Sequence, residues 1–282
     1  MVLRTRQPIR LLGVDDVDAA LDLCAQDPAA NVFVASRILD GGLGQGSTAA
    51  HGYFEGGRLN SFVWSFANVV PVGTGPSSWP QLAAQVKRAR RRSASFLGPR
   101  DEVLGLWHEA GSVFPQPRSL RSEQPLLATR TRPSQLGFAI DQRVRPARID
   151  EVDLVLPAAE HMFTHEIGYR PYTGSPAFYR DSIWRLIRQG RTYVVIEDGR
   201  VAFKADIGSV ALDTCQVQGV WLAPHLRGQG LAAGFMASVV EQTMSDHAPF
   251  VTLYVNSYNA AALATYERIG MRQVGTFATI LF

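Results

Sequence analysis

The strongest constraint on the fold of this 282-residue chain is that its second half repeats the first in outline. Ile9-Arg10-Leu11-Leu12-Gly13-Val14-Asp15-Asp16-Val17-Asp18 aligns with Val144-Arg145-Pro146-Ala147-Arg148-Ile149-Asp150-Glu151-Val152-Asp153. In both, a short strand leads into an acidic cluster able to cap the helix that follows. Glu55-Gly56-Gly57-Arg58-Leu59 matches Glu197-Asp198-Gly199-Arg200-Val201, a turn between apolar strands and so a hairpin in each half. Leu106-Trp107-His108-Glu109-Ala110-Gly111 stands where Thr265-Tyr266-Glu267-Arg268-Ile269-Gly270 stands. Each match alone is short enough to arise by chance; three in one order indicate duplication.

The second half reads as strand 144–148, helices about 150–166 and 175–189, hairpin strands 192–197 and 200–208, strand 214–222, helix 231–245, strand 250–256, helix 259–269 and strand 272–281. Antiparallel strands come first, then strand-helix-strand-helix, so an α/β domain with a mixed, mostly antiparallel central sheet flanked by helices is expected. In helix 175–189, Phe178, Ile183, Trp184 and Ile187 stand near helical spacing and are expected in the core. Between the halves, proline- and arginine-rich stretches at 114–118 and 130–134 flank Pro125-Leu126-Leu127-Ala128, read as the last strand of the first half. The linker is placed near 130–143 and the two domains at 1–135 and 136–282.

With 46% hydrophobic and 19% charged residues, the composition is that of a soluble globular protein. No apolar run approaches the about 18–20 residues of a membrane span, and the start, M-V-L-R-T-R-Q-P, has no apolar segment like a signal peptide, so a cytoplasmic protein is expected. Cys24 and Cys215 lie far apart and suggest neither a disulfide framework nor a cysteine metal site; each is expected to be a small buried apolar residue. Charge is uneven: residues 1–143 carry 16 basic and 12 acidic residues, residues 144–282 carry 12 and 13. Much of the excess is Lys87-Arg88-Ala89-Arg90-Arg91-Arg92, where basic residues suit a helix end; no aromatic residues interleave, so a solvated helix end is favoured over a nucleic-acid surface.

The stretch Val220-Trp221-Leu222-Ala223-Pro224-His225-Leu226-Arg227-Gly228-Gln229-Gly230-Leu231-Ala232 carries the chemistry. An apolar strand runs through a proline into a glycine turn and then a helix. Gly228 and Gly230 allow successive N–H groups to turn toward one anion, and the helix start adds unpaired N–H groups and a partial positive charge. Arg227 supplies a bidentate cation. A diphosphate is the natural occupant. The cluster Gly41-Gly42-Leu43-Gly44-Gln45-Gly46 has more glycines but no strand before it and no basic residue, and is read as a flexible loop.

With this turn, the strand Phe250 to Val255 and the run Asn259-Ala260-Ala261-Ala262-Leu263-Ala264-Thr265-Tyr266-Glu267-Arg268-Ile269-Gly270-Met271, the sequence resembles the GNAT superfamily of acyl-CoA-dependent N-acetyltransferases. The family's pyrophosphate motif, Gln or Arg-x-x-Gly-x-Gly or Ala, is matched by Arg227, Gly230 and Ala232, and its Asn, small residues, Tyr-Glu-Lys-Leu-Gly-Phe signature from Asn259 to Met271. The resemblance covers residues 144–282 and reaches the first half only through the repeat. The whole then resembles a tandem arrangement, as in mycothiol synthase and related actinobacterial enzymes. The first half lacks the Arg-x-x-Gly-x-Ala motif and has Trp107 in place of Tyr266, so it is expected to brace the second half or shape its acceptor site without binding cofactor productively.

The resemblance implies acetyl-CoA as cosubstrate, its diphosphate on Arg227, Gly228, Gln229, Gly230, Leu231 and Ala232, and its pantetheine arm beside the main chain of Val220, Trp221 and Leu222, where a backbone N–H would stabilise the oxyanion. Asn256 and Asn259 are candidate cofactor ligands, and Tyr266 is the implied proton donor to the departing thiolate. Where many members carry a glutamate base, this chain has Gln216, with Gln218 on the same face of the strand. Glu160, His161, His165 and Glu166 are the substitutes, His165 and Glu166 foremost; no metal site is expected from His161 and His165 alone. Without the glutamate, an α-amine or small-molecule amine is the expected acceptor. Two other classes stay open, a non-catalytic acyl-CoA-binding module and a tRNA-dependent aminoacyl transferase. No membrane partner is expected, and a homodimer is left open.

Overall fold

The computed structural model describes residues 8–44 and 49–282. The leader reading of residues 1–7 and the Gln45-Gly46 end of the glycine cluster lie outside the described residues. The strands are β1 (Ile9–Leu11), β2 (Ala49–Glu55), β3 (Arg58–Ser65), β4 (Asn68–Val72), β5 (Ser95–Pro99), β6 (Ser119–Thr129), β7 (Arg145–Pro146), β8 (Thr192–Glu197), β9 (Arg200–Ala211), β10 (Thr214–Leu222), β11 (Phe250–Tyr254) and β12 (Arg272–Leu281). The helices are α1 (Val17–Gln26), α2 (Pro28–Arg37), α3 (Trp79–Ala89), α4 (Arg100–Ala110), α5 (Val152–Ile167), α6 (Ala177–Arg188), α7 (Leu231–Asp246) and α8 (Ala260–Arg268).

The chain forms two compact units. The first takes residues up to 126 with 254–259 and 273–282; the second takes 127–253 with 260–272. In the first, the strands run in the order β1-β2-β3-β4-β5-β12-β6, so the last strand of the chain lies in this sheet, antiparallel to β5. β4 and β5 are parallel. Leu82 and Val86 of α3 and Val103 and Leu106 of α4 close over Val63, Val69, Phe96, Ala278 and Ile280. Burying each such side chain is worth about 1.5–3 kcal/mol.

In the second unit the order is β11-β10-β9-β8-β7, with β10 and β11 parallel and the rest antiparallel. Period-two alternation serves both faces: Val194 joins Val155, Ala159, Ile183 and Ile187 under α5 and α6, while neighbouring Tyr193 points the other way and bonds Asp246 of α7. Each unit thus has the mixed α/β sheet expected.

The repeat is visible in individual bonds. Arg10 binds Asp16 through both terminal nitrogens, and Asp16 accepts from the Gly13 N–H at 2.9 Å. Arg145 does the same to Glu151, which accepts from the Arg148 N–H at 2.7 Å. Both hairpins slip register two residues before their turns, between Tyr53 and Phe54 and between Val195 and Ile196.

Three expectations change. Phe178 is 88% exposed; five residues from Ile183, it is rotated about 140° around the helix, and Tyr179 packs inward instead, its hydroxyl donating to the Ala159 carbonyl. The segment 130–143 is fastened along α7: Arg132 and Ser134 bind Glu241, and the Asp141 N–H donates to Ser238. Gly41 and Gly42 close a helical turn, Ile38–Gly42: Gly41 turns the chain out of the helix with φ of 83°, and Gly42 lets the backbone pack against Trp64, where a Cβ would stand 2.5 Å from the ring. Cys24 and Cys215 are both buried, as expected, with burial pushing each thiol up to about 12.

Candidate active site

The turn into α7 is built as an open anion cradle. Gly228 and Gly230 both have φ of 77°, and no atom lies within 4 Å of where a Cβ would stand on either. Gly230 is the N-cap of a 16-residue helix that has no side-chain cap and no acidic residue in its first turn. Its first N–H groups, Leu231 and Ala232 among them, therefore point outward unneutralised. Arg227 is anchored by its Nε to the Leu222 carbonyl at 3.1 Å, leaving its terminal nitrogens for a ligand, and Gln229 bonds the His225 carbonyl. These residues fit a diphosphate.

Immediately before the cradle the sheet opens. The parallel ladder of β10 and β11 covers only Thr214–Gln216 against Phe250–Thr252, although β10 continues to Leu222. On its other edge β10 breaks register with β9 between Gln218 and Trp221, where Gly219 has φ of 59°. Gly219 and Val220 form a bulge facing a gap in the sheet, which exposes main chain where a thioester could lie.

Tyr266 of α8 is buried, and burial together with the charge of Glu166 pushes its hydroxyl pKa up. The phenol keeps its proton at neutral pH. Glu160, His161, His165 and Glu166 all ride on α5. His161 and His165 stack with ring centres 6.5 Å apart, and the Trp221 indole N–H donates to His161 Nδ1 at 3.1 Å. Glu160 is drawn to Arg170 at 3.5 Å. No cluster of three metal-ligating side chains occurs among the described residues.

Gln216 is only 6% exposed, and its Nε2 has no partner. A buried orphan donor of this kind suits a water or a substrate oxygen. Asn256 and Asn259 fall in the segment assigned to the first unit, and the side-chain Oδ1 of Asn256 already accepts from Gln124, whose own Oε1 accepts from Thr279.

Sequence reasoning missed Lys204 and Asp206. Both are buried on β9, facing the bulge: Lys204 Nζ lies 2.6 Å from Asp206 Oδ2 and 2.9 Å from the Gly219 carbonyl. The signal was two opposite charges at i and i+2 in an apolar strand, Val201-Ala202-Phe203-Lys204-Ala205-Asp206-Ile207, which puts both on one face of a strand with neighbours on either side.

Residues 159–271 match the acetyltransferase (GNAT) family, so this part of the chain carries a GNAT acetyltransferase domain. Residues 48–155 match a domain of unknown function, DUF4081. No curated protein matches the chain. Among solved structures it is similar to a GCN5-related N-acetyltransferase from Sphaerobacter thermophilus, at 12% identity and TM-score 0.62, covering 98% of this chain and 95% of that one. It is likewise similar to a GNAT-family acetyltransferase from Colwellia psychrerythraea, at 10% identity and TM-score 0.57, covering 97% and 99%. A tandem GNAT protein from the clavulanic acid biosynthesis pathway aligns at 13% identity and TM-score 0.57, over 96% and 97%. At these identities the likeness is one of fold.

Proposed function

We propose that the chain is an N-acetyltransferase that moves the acetyl group of acetyl-CoA to a primary amine in a ternary complex, with residues 136–282 as the catalytic domain and 1–135 as a degenerate GNAT-like domain. The observation that carries the reading is the cradle Arg227–Ala232, uncapped and cationic, set at the end of a strand whose parallel partner has parted. The diphosphate binds the cradle, and the pantetheine arm follows the main chain of Val220, Trp221 and Leu222. Asn256 and Asn259 remain proposed cofactor ligands.

The amine attacks the thioester carbon, the oxyanion is stabilised by a backbone N–H at the bulge, and the C–S bond breaks. Tyr266 donates a hydrogen bond to the leaving sulfur. A thiol of pKa about 8.5 gives a thiolate less basic than a tyrosinate, so stabilising the departing charge is the main service of the phenol. The proton lost by the amine matches the one gained by the thiolate, and Glu166, His165 or a water on Gln216 relays it. Deprotonating an α-amine of pKa about 8 at pH 7 costs about 1.4 kcal/mol, against about 4.6 for a lysine of pKa about 10.4. The acceptor is therefore a small molecule or an α-amine; faster acetylation of lysine side chains at neutral pH would refute this.

Thermal unfolding with acetyl-CoA at about 100 times its Kd is expected to show about 2.7 kcal/mol of added stability. Gly230→Pro, which cannot adopt a φ of 77°, is expected to abolish it. No shift for the unaltered protein would overturn the proposal.

A further inference from the structure

Lys204 is wholly buried, and its ammonium is shared between Asp206 and a single main-chain carbonyl, that of Gly219. Asp206 is fixed in turn by the Thr192 hydroxyl at 2.9 Å from Oδ1. Stability does not explain such a pair, since desolvation offsets much of the attraction and apolar replacements of buried ion pairs are often as stable. The carbonyl it selects lies within the register break of β10, on the one residue there with positive φ. Side-chain space is closed around it: a Cβ on Gly219 would stand 2.7 Å from Asp206 Oδ2, 3.1 Å from Lys204 Nζ and 3.3 Å from Met162 Cε.

A peptide group is planar and trans, so its C=O and N–H point in opposite directions. Fixing the Gly219 carbonyl on the Lys204 ammonium therefore fixes the Val220 N–H on the opposite side of that peptide, away from Lys204 and Asp206. A cation on the carbonyl oxygen also withdraws electron density through the amide and strengthens that N–H as a donor. Resting on the acyltransferase reading above, we propose that Lys204, oriented by Asp206, is a positioning residue that aims and polarises the Val220 N–H as the oxyanion donor. The pair touches neither substrate nor the diphosphate cradle. It sets the direction and strength of a dipole one peptide away from the reacting carbonyl.

The test uses the full chain, 13C-carbonyl acetyl-CoA and a panel of primary amines. In the unaltered protein the infrared carbonyl stretch of bound acetyl-CoA is expected below that of free acetyl-CoA. Lys204→Met combined with Asp206→Asn, which removes both charges together, is expected to bind acetyl-CoA within about threefold of the unaltered Kd while the stretch returns toward the free value. Its kcat should fall about 10- to 100-fold with KM little changed, less than the about 10²–10³-fold loss for deleting an oxyanion donor outright. A stretch and kcat equal to those of the unaltered protein would overturn the proposal. Should that variant not fold, Lys204→Gln with Asp206→Asn keeps an uncharged donor and is expected to give an intermediate stretch; an unaltered one would overturn the proposal equally. Failure of the unaltered protein to bind acetyl-CoA would instead remove the acyltransferase reading beneath it, and the two failures are distinct.

Discussion

The passage from β4 into α3 in the first unit and from β10 into α7 in the second hold the same place in the repeat and satisfy their donors in opposite ways. In the first, β4 and β5 likewise pair only briefly, over two positions against three for β10 and β11: Asn68 with Ser95 and Val69 with Phe96. There the chain fills the opening itself. Glu102 of α4 accepts from the Thr74 N–H at 2.7 Å and from the Thr74 hydroxyl at 3.0 Å, the Trp79 indole donates to the same hydroxyl, and the Gly75 N–H bonds Ser78. Burial pushes the Glu102 carboxyl above its ordinary value, against the bonds from Thr74. The second unit has Ala261 at the position aligned with Glu102, and its turn offers Arg227 and bare N–H groups with no internal carboxylate. One turn carries its own anion; the other is left to bind one from outside.

The sharpest separation of the two is at the aligned aromatic residues. Tyr266→Phe is expected to lower kcat by about 10²–10³ with acetyl-CoA binding unchanged, the range for losing one hydrogen-bond donor to the charge that develops in the transition state. Trp107 packs edge-on to Phe96 at 5.3 Å and beside Phe114 and Phe282, so Trp107→Phe is expected to leave kcat unchanged and lower only the stability read from urea unfolding. A kinetic defect in Trp107→Phe would break the asymmetry. Next in size, Glu102→Ala strands the Thr74 N–H and is expected to cost about 1–3 kcal/mol, whereas Glu102→Gln keeps an acceptor and costs less. Equal losses would mean that the carboxylate acts by packing alone. Ala261→Glu carries the first unit's solution into the second: on an exposed helix position it should leave folding intact and weaken acetyl-CoA binding about tenfold, a change of about 1.4 kcal/mol by titration calorimetry.

How much of this was legible in the sequence follows from what each signal encodes. The hairpins at 55–58 and 197–200, strand 214–222 and the cradle are local, and turn chemistry and periodicity give them directly. Placement of β12 in the first unit's sheet is not local: Arg272 to Leu281 reads as a strand from its β-branched and aromatic residues, and that composition says that a strand exists without saying which neighbours it joins. Glu102 and Asp206 were passed over for the same reason. A lone carboxylate reads as surface until Thr74, 28 residues away, is brought to Glu102, and the Lys204–Asp206 pair reads as surface until β10 brings the Gly219 carbonyl to Lys204. Gln216 was singled out for its aligned position, but only the fold shows that its amide is buried without a partner.

The clasp at the start of each unit offers the finest comparison, because here the two halves agree in design and differ by one arginine. Arg145 at 2.7 Å, with added attraction from Arg148 and a bond from the Arg148 N–H, holds Glu151 at about 2, well below its ordinary 4.5. Asp16 has Arg10 and the Gly13 N–H but no second arginine, and is lowered from 3.8. A carboxylate held below its unfolded value contributes stability that is full above the unfolded pKa and lost as pH falls toward the folded one. Glu151 therefore stabilises the fold above about pH 4.5 and ceases to do so on descent toward about pH 2; Asp16 loses its share below about pH 3.8. Urea unfolding at about pH 6 and about pH 3 should show the acid loss shrinking in Arg145→Ala and shrinking less in Arg10→Ala, with high salt narrowing the gap because the arginines are partly exposed. The reverse order would mean that the extra arginine on Glu151 does not strengthen its clasp, and that the two halves, alike in this bond, are alike in its energy as well.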